Sequence, residues 1–389
     1  MNVPEFVEGN QLRLLHTGTE YFLALEKAID QATQEIFLET YIFQDDCAGQ
    51  RIAAALVRAA GRGVAVHVLI DGFGSQYYPE ENIRKLLEKS VQLLIYRQEI
   101  FSLRLKRQRL RRLHRKLAIM DASIAFVGGI NIIDDFSGPD ITSPQFDYAV
   151  EIRGPLLQFI HAAARHLWTL VAWAHFKKRW TNYAPVIGQQ RPAGRQRAAF
   201  VIRDNLRNRR NIEHCYLQAI ESANREILIA NAYFLPGINF RHALIEAARR
   251  GVRVVLLLQG KTEHLVQHLA TRALYGNLLA AGIHIYEYRH GYLHAKVAVI
   301  DQCWATVGSS NIDPLSLLLA REANVIIDDH EFALQLRDGL LQGMKKSYPV
   351  LRYSWKKRSG LARLINWLCY YSVRIVQGML GYAHQEYKL

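Results

Sequence analysis

Apolar residues recur along the chain in two alternating patterns. Residues 20–35 and 211–226 carry them three and four positions apart, which predicts amphipathic helices. Short runs rich in Val, Ile and Leu follow these stretches and predict buried strands. Helices that alternate with continuous apolar strands indicate an α/β fold with mixed, largely parallel sheets that are covered on both faces.

The same order of predicted elements occurs twice. Residues 20–43 match residues 211–234, and AAGRGVAVHVLIDG matches AARRGVRVVLLLQG without a gap. Further on, LLEKSVQLLIYR matches LLAAGIHIYEYR. Because these segments align in one order, we expect two copies of one α/β domain, over residues 1–184 and 199–350. Residues 185–198, rich in Pro, Gly, Gln and Arg, are the predicted linker.

Two stretches have no evident counterpart in the other half of the sequence. Residues 160–180 contain Trp168, Trp173 and Trp180 and predict a Trp-rich helix of the first domain. Residues 351–389 predict an amphipathic helix. Its apolar face comprises Leu361, Leu364, Ile365, Leu368, Ile375 and Met379. Because Trp, aliphatic and basic residues together are typical of bilayer interfaces, we expect 351–389 to associate with a membrane. For residues 160–180 a bilayer interface and a helix that covers the sheet or bridges the domains are both open. For residues 351–389 the second of these is the alternative.

Composition narrows the class of partner. Of the 389 residues, 50% are hydrophobic, which indicates a globular protein, and the net charge of +14 favours a nucleic acid or an anionic membrane surface. A basic insertion at residues 99–112 precedes the first motif described below and is either an anion-gathering or a solvated loop. The four cysteines are scattered, which argues against a disulfide framework or a zinc site. The chain shows no signal-peptide pattern and no apolar run long enough to span a bilayer, so we expect a peripheral or soluble protein.

Two short motifs carry the candidate chemistry. Both have the spacing H-x-K-x4-D, with His114, Lys116 and Asp121 in the first half and His294, Lys296 and Asp301 in the second. The apolar run after each Lys predicts a strand, on which His and Lys two positions apart face the same side. Two imidazoles and two ammonium groups suit an anionic phosphodiester. They suit a metal poorly, because Lys offers no lone pair at neutral pH.

A phosphodiester can react at such a site without a metal or a cofactor. One imidazole attacks phosphorus while the other protonates the departing alkoxide, and the phosphohistidine then passes its group to water or an alcohol. We expect Lys116 and Lys296, helped by Asn131 and Asn311, to stabilise the charge that develops on the oxygens.

Other polar residues around the motifs have two alternative roles. Asp147 and Glu322 each open an apolar strand and are candidates to orient an imidazole. Asp121 and Asp301 stand at the turn after each motif strand, where a structural role is the alternative to a chemical one. Ser309, like Asn131 and Asn311, is either a site residue or a turn residue.

The doubled motif resembles that of the phospholipase D superfamily, over roughly residues 10–330. The segments GGIN, LETYIFQDD and ANAYF are similar to those of bacterial cardiolipin synthases, and most to their B subtype. The resemblance implies two tandem phospholipase D-like α/β/α domains, packed around a pseudo-twofold axis with the active site at their interface. It also implies that Asp147 supports His114, that Glu322 supports His294, and that His114 is the nucleophile and His294 the acid and base. Gly129 stands where the second motif has Ser309, so the two histidines are not interchangeable.

We therefore expect a phosphatidyltransferase that transfers a phosphatidyl group to phosphatidylglycerol and releases glycerol. Phosphatidylethanolamine is an alternative donor. Hydrolysis of phospholipid, or of nucleic acid, is the alternative reaction, although nucleic acid is not an expected partner. The expected location is the cytoplasmic side of the inner membrane, with the protein bound peripherally to its anionic surface. The donor, the oligomeric state and the acyl-chain preference stay open.

Overall fold

The computed structural model describes residues 4–74, 87, 90–97, 112–136, 143–181, 191–204, 208–262, 264–313 and 320–379. Most of the basic insertion at 99–112, and residues 185–190 of the predicted linker, lie outside this part of the chain. The described helices are α1 (Thr17–Gln31), α2 (Cys47–Gly61), α3 (Leu157–Ala174), α4 (Asn211–Ser222), α5 (Ile238–Arg249), α6 (Leu265–Ala280), α7 (His330–Lys345), α8 (Arg352–Lys356) and α9 (Gly360–Met379).

Strands from both halves join in a single sheet. The described strands are β1 (Val7–His16), β2 (Glu35–Thr40), β3 (Ala65–Asp71), β4 (Gln92–Tyr96), β5 (Arg112–Leu113), β6 (Lys116–Met120), β7 (Ile124–Gly128), β8 (Tyr148–Arg153), β9 (Gln196–Arg203), β10 (Glu226–Asn231), β11 (Arg253–Gln259), β12 (His284–Tyr288), β13 (Lys296–Ile300), β14 (Trp304–Gly308), β15 (Ala320–Asp328) and β16 (Ser347–Pro349). Strand β9 already begins at Gln196, inside the range predicted for the linker.

The sheet order repeats on both sides of its centre. It runs β16-β12-β11-β10-β13-β14-β15-β9-β1-β8-β7-β6-β2-β3-β4, with β5 pairing β15. The antiparallel pair β1–β9 joins two half-sheets in which corresponding strands occupy corresponding places. Two tandem α/β domains related by a pseudo-twofold axis, as the repeat predicted, are therefore confirmed.

Parallel pairing is less common than the sequence suggested. Among the described strands of each domain it is limited to β2–β3–β4 and β10–β11–β12. Each motif strand continues through a tight turn into the next strand, and such a connection permits only an antiparallel pair. The mixed sheet is confirmed, whereas the expectation of largely parallel pairing is corrected.

The Trp-rich segment is part of the repeat after all. Helix α3 follows β8 as α7 follows β15, and each reaches a glutamate at the start of an equivalent strand. His161 of α3 contacts Glu35 of β2, and Arg337 of α7 donates to Glu226 of β10 over 2.6 Å. Trp168 is buried in the core that the two domains share, packed on Phe37. The expectation that 160–180 lacks a counterpart is wrong, because α3 and α7 follow equivalent strands and contact equivalent glutamates.

Helix α9 leaves an apolar face uncovered. Its inner side packs on α6 through Trp367, Tyr370 and Val373. The outer side carries the exposed apolar residues Leu361, Leu364, Ile365, Leu368, Tyr371, Ile375 and Val376. Five residues of the face predicted from helical spacing, Leu361, Leu364, Ile365, Leu368 and Ile375, therefore point to solvent, and the side chain of the sixth, Met379, lies outside the described part. Among the described helices, α9 included, none combines the length and apolar character that crossing a bilayer requires.

Candidate active site

Each motif lysine is the first residue of a strand, Lys116 of β6 and Lys296 of β13. Lys116 and Lys296 are buried, because the strands that carry them are central in their domains. Each ammonium group folds back on its own motif. Lys116 Nζ donates to the backbone oxygen of His114 over 2.8 Å, and Lys296 Nζ donates to that of His294. The result is one buried cationic site beneath two imidazoles.

Short backbone contacts between the domains position the two histidines. Leu113 pairs with Arg321 of β15, and the His114 N–H donates to the Arg321 oxygen over 3.0 Å. In the second motif, the His294 N–H donates to the Phe146 oxygen over 3.0 Å. Each histidine therefore lies against the strand of the other domain that carries a candidate carboxylate.

Each imidazole is held by a carboxylate of the other domain. His114 Nδ1 lies 3.0 Å from Glu322 Oε2, and His294 Nδ1 lies 2.6 Å from Asp147 Oδ2. The pairing that the sequence resemblance implied, Asp147 with His114 and Glu322 with His294, is wrong, because the partners are exchanged across the domain interface. With Nδ1 engaged, Nε2 of each ring is left to face a reacting phosphorus.

The Gly129 and Ser309 positions differ because their neighbouring carboxylates differ. Ser309 Oγ donates to Glu322 Oε2 over 2.5 Å and accepts from the Ala323 N–H over 3.1 Å. A Cβ at Gly129 would lie only 2.3 Å from Asp147 Oδ1. The first domain therefore has a glycine beside an aspartate at this position, and the second has a serine beside a glutamate.

The motif aspartates accept hydrogen bonds from backbone N–H groups at the far end of the motif strands. Asp121 accepts from the N–H groups of Thr33, Gln34 and Glu35 at 2.8–2.9 Å. Asp301 makes the equivalent contacts at 2.7–2.8 Å with the segment that opens β10. Each aspartate stands five positions after its lysine along the strand, which is roughly 16 Å. Their assignment to the reacting groups is wrong, and the structural alternative is correct.

The two motif asparagines lie just after β7 and β14. Asn131 Oδ1 accepts from the Ile42 N–H over 3.3 Å, which connects it to the loop after β2. Asn311 is buried, and its Oδ1 has no hydrogen-bond partner among the described residues. Their service as neutral donors to a bound phosphate stays a prediction.

Burial and like charge shift the ionisation of the site. The pKa of His114 is held well below its usual value by burial and by Lys116 and Lys296. Burial also lowers the pKa of His294, although the Asp147 carboxylate opposes this. Burial and repulsion from Lys296 lower the pKa of Lys116 to about 7, and burial raises the pKa of Glu322 to about 7. A bound anion between the lysines would relieve their repulsion, so the site favours phosphate.

Several residues beside the first motif could not be predicted as part of the site from the sequence. The Tyr41 ring lies 5.0 Å from that of His114 and 5.3 Å from Lys116 Nζ. Arg115, between the motif residues, forms a buried two-bond ion pair with Glu39, both bonds 2.7 Å long. The second domain has alanines at the matching positions, so this brace exists on one side only. A glutamate inside an apolar strand was the available signal.

The active site is built from one motif that occurs twice, and it is complete only where the two domains meet. This is the arrangement of phospholipase D superfamily enzymes, and this chain is such an enzyme. Residues 25–167 and 216–342 match the family described as cardiolipin synthase, PLD-like domain. The chain belongs to that family, as the sequence motifs predicted. Across the described residues, no group of three or more His, Cys, Asp or Glu side chains is arranged to hold a metal ion.

Named relatives cover most of the chain. Cardiolipin synthase B of Shigella flexneri and that of Escherichia coli K12 are each 42% identical to it, over 86% of this chain and 80% of theirs. The major cardiolipin synthase of Bacillus subtilis is 30% identical, over 88% of this chain and 71% of its own. Among solved structures, phosphatidylserine synthase of Haemophilus influenzae superposes with a TM-score of 0.71 over 97% of this chain and 96% of its own. At 13% identity, that likeness shows the fold alone.

Proposed function

We propose that this enzyme synthesises cardiolipin by transferring a phosphatidyl group from a donor phospholipid to the hydroxyl of phosphatidylglycerol. The observation that carries the proposal is the pair of imidazoles, each held at Nδ1 by a carboxylate of the other domain above two buried lysines. The 42% identity to cardiolipin synthases selects the lipid substrate from among phosphodiesters.

In the first step, the donor phosphodiester lies between Lys116 and Lys296, and His114 Nε2 attacks phosphorus. The P–N bond forms as the P–O bond to the headgroup breaks, and His294 gives its proton to the departing alkoxide. In the second step, His294 takes the proton of the acceptor hydroxyl, whose oxygen displaces His114 from phosphorus. One phosphodiester is exchanged for another, and glycerol is released when phosphatidylglycerol is the donor.

The environments of the two histidines support this division of roles. The pKa of His114 lies well below its usual value, so its ring is neutral and nucleophilic at neutral pH. Burial lowers the pKa of His294 as well, but Asp147, 2.6 Å away, opposes that shift and favours the protonated form that an acid needs.

We also propose that α9 holds the enzyme on the anionic cytoplasmic surface of the inner membrane. Its uncovered apolar face and the neighbouring Lys356, Lys357 and Arg358 support this, since lipid substrates and a basic amphipathic helix meet at the same interface. Replacing both Leu364 and Leu368 with Asp should weaken binding to phosphatidylglycerol vesicles. The matched change Leu23→Asp, at an exposed apolar position of α1, should not. Equal vesicle binding by both variants would exclude α9 as the anchor.

Radiolabelled phosphatidylglycerol in vesicles tests the reaction. The purified enzyme should form cardiolipin, and both His114→Ala and His294→Ala should abolish it, whereas His175→Ala, at an exposed position after α3, should not. Phosphatidic acid as the sole product would replace the transferase proposal with a hydrolase. Full activity of both active-site variants would refute the site itself.

A further inference from the structure

A polar cleft opens beside the second motif, in a part of the molecule that the transfer mechanism does not use. About 360 Å³ of space unfilled by protein atoms, open solvent included, lies between the ends of β10 and β11 and the first turns of α6. The side chains that give it its chemistry are Tyr233, Gln259, Lys261, His264, Gln267 and His268. None of the described residues that line it is acidic. We call it the Gln259 cleft.

One buried group in this cleft has an unused hydrogen bond. Gln259 is only 8% exposed, and its Nε2 has no hydrogen-bond partner among the described residues. Its Oε1 accepts from the Lys261 N–H over 3.3 Å, which fixes the amide with its NH₂ group as the free end. A buried donor without a partner is unfavourable, because it has lost its hydrogen bonds to water. An acceptor oxygen that enters with a ligand would remove that cost.

The charge around the cleft favours an anion. Lys261 places its ammonium group 5.5 Å from the centre of the Tyr292 ring, two residues before His294. Helix α6 begins at Leu265 and directs its first N–H groups towards the same region. An ammonium, a free amide NH₂ and a helix start together suit a phosphate group that carries hydroxylated substituents.

The cleft lies close to the reaction centre. Register places Asn231 of β10 opposite both Leu258 of β11 and Lys296 of β13. Gln259 is therefore two strand spacings from the motif strand, roughly 10 Å. The Ala232 N–H also donates to the Ala295 oxygen over 3.0 Å, so the wall of the cleft is bonded to the segment between His294 and Lys296.

Two exposed apolar residues lie beside the cleft. Leu265 and Val266, at the start of α6, are among the exposed large hydrophobic residues. Helix α9, with its uncovered apolar face, packs along this same helix α6. A ligand with a polar phosphate end and an apolar body would therefore find apolar residues beside the polar cleft.

We propose that the Gln259 cleft binds the phosphate and glycerol of the acceptor phospholipid, and this rests on the proposed transferase function. A phosphatidylglycerol acceptor carries its reacting hydroxyl on the glycerol that its own phosphate esterifies. That phosphate must therefore bind beside the reaction centre and outside the lysine pair, which holds the donor. Lys261 binds the acceptor phosphate, and Gln259 Nε2 donates to an oxygen of the headgroup.

The test compares Lys261→Ala and Gln259→Leu with Lys261→Arg and with Arg249→Ala, which removes an exposed charge on α5. Initial rates are measured on phosphatidylglycerol vesicles as the ratio of cardiolipin to phosphatidic acid. The ratio should fall roughly tenfold in the first two variants, the factor that one lost hydrogen bond to a charged group gives. It should stay at the wild-type value in Arg249→Ala and recover in Lys261→Arg. An unchanged ratio in both Lys261→Ala and Gln259→Leu would overturn the proposal.

A binding measurement separates this proposal from the proposed function. Glycerol phosphate and inorganic phosphate are titrated into wild type, Lys261→Ala and Arg249→Ala. Weaker binding of glycerol phosphate by Lys261→Ala alone supports the cleft, even if the wild-type enzyme makes only phosphatidic acid. Equal affinities in all three proteins overturn the cleft, even if cardiolipin is formed. Binding of inorganic phosphate as tight as that of glycerol phosphate overturns the assignment to a headgroup.

Discussion

Replacing Asp147 with Asn tests the exchange of carboxylates across the domain interface. The Asn oxygen can keep the bond that Asp147 Oδ1 accepts from the Tyr148 N–H, 2.8 Å long, so the backbone is preserved. Its NH₂ group then faces His294 Nδ1 in place of an acceptor 2.6 Å away. A buried hydrogen bond to a charged group contributes about 1.5–3 kcal/mol, so cardiolipin formation should fall about 10- to 150-fold.

A substrate with a good leaving group shows which histidine is affected. A 4-nitrophenyl phosphodiester needs no protonation of its leaving group, so its first step depends on the attacking His114 and little on His294. Asp147→Asn should therefore slow cardiolipin formation while the initial burst of nitrophenol stays fast. Glu322→Gln should slow the burst, because Glu322 Oε2 lies 3.0 Å from the nucleophile's Nδ1.

The opposite pattern would refute this reasoning. If Asp147→Asn slows the burst and Glu322→Gln leaves it fast, then either the carboxylates serve the other histidines or His294 attacks. Trapping the phosphoenzyme in His114→Ala and His294→Ala separates those two explanations, because only the variant that retains the nucleophile is labelled.

Three further substitutions have defined outcomes. Lys116→Met should abolish activity yet raise the free energy of unfolding at pH 7 in denaturant titrations, by a few kcal/mol at most, since burial and Lys296 lower the pKa of Lys116 to about 7. Because the pKa of Lys116 is lower in the folded state than in the unfolded state, the cost of burying Lys116 should shrink as pH rises from 7 towards 10.5. The difference in free energy of unfolding between variant and wild type should therefore close over this range. A variant less stable than wild type at pH 7 would contradict this. Asp121→Ala removes the acceptor of three backbone N–H groups and should lower the free energy of unfolding by about 1–3 kcal/mol. The folded variant should keep the pH dependence of activity of the wild type. A shifted pH dependence would show that Asp121 is one of the reacting groups. Gly129→Ser should lower activity at least tenfold in the vesicle assay, because its Cβ would lie 2.3 Å from Asp147 Oδ1. A wild-type rate in this variant would show that the carboxylate can move aside.

The fold and half of the site could be predicted from sequence because both are local patterns. Helical spacing, apolar strands and the doubled His–Lys motif are each contained in short stretches, and their repetition predicted two domains. The pairing of His114 with Glu322 could not be predicted, since the order of strands in one domain does not tell which surface meets the other domain. The role of Asp121 was ambiguous for a different reason. A conformation with φ of 51° and three backbone donors is a property of the folded turn.

Charged residues inside strands were harder still to interpret. The Glu39–Arg115 pair joins neighbouring strands that are far apart in the sequence, so neither residue indicates its partner. Trp168 shows the same limit for apolar residues. Its neighbours Trp173 and Phe176 are exposed while it is buried, and only the packed structure separates them.

The crossed carboxylates also bear on how such an enzyme can vary. A single domain of this kind contains no complete pair of an active-site imidazole and its carboxylate, so two copies must associate before either side can react, as in a self-complementary twofold dimer. Any substitution in such a dimer would appear on both sides at once. Joining the copies in one chain removes that restraint. The two sides now differ, with Gly129 beside Asp147 on one and Ser309 beside Glu322 on the other. Each half-reaction can therefore be adjusted without changing the other.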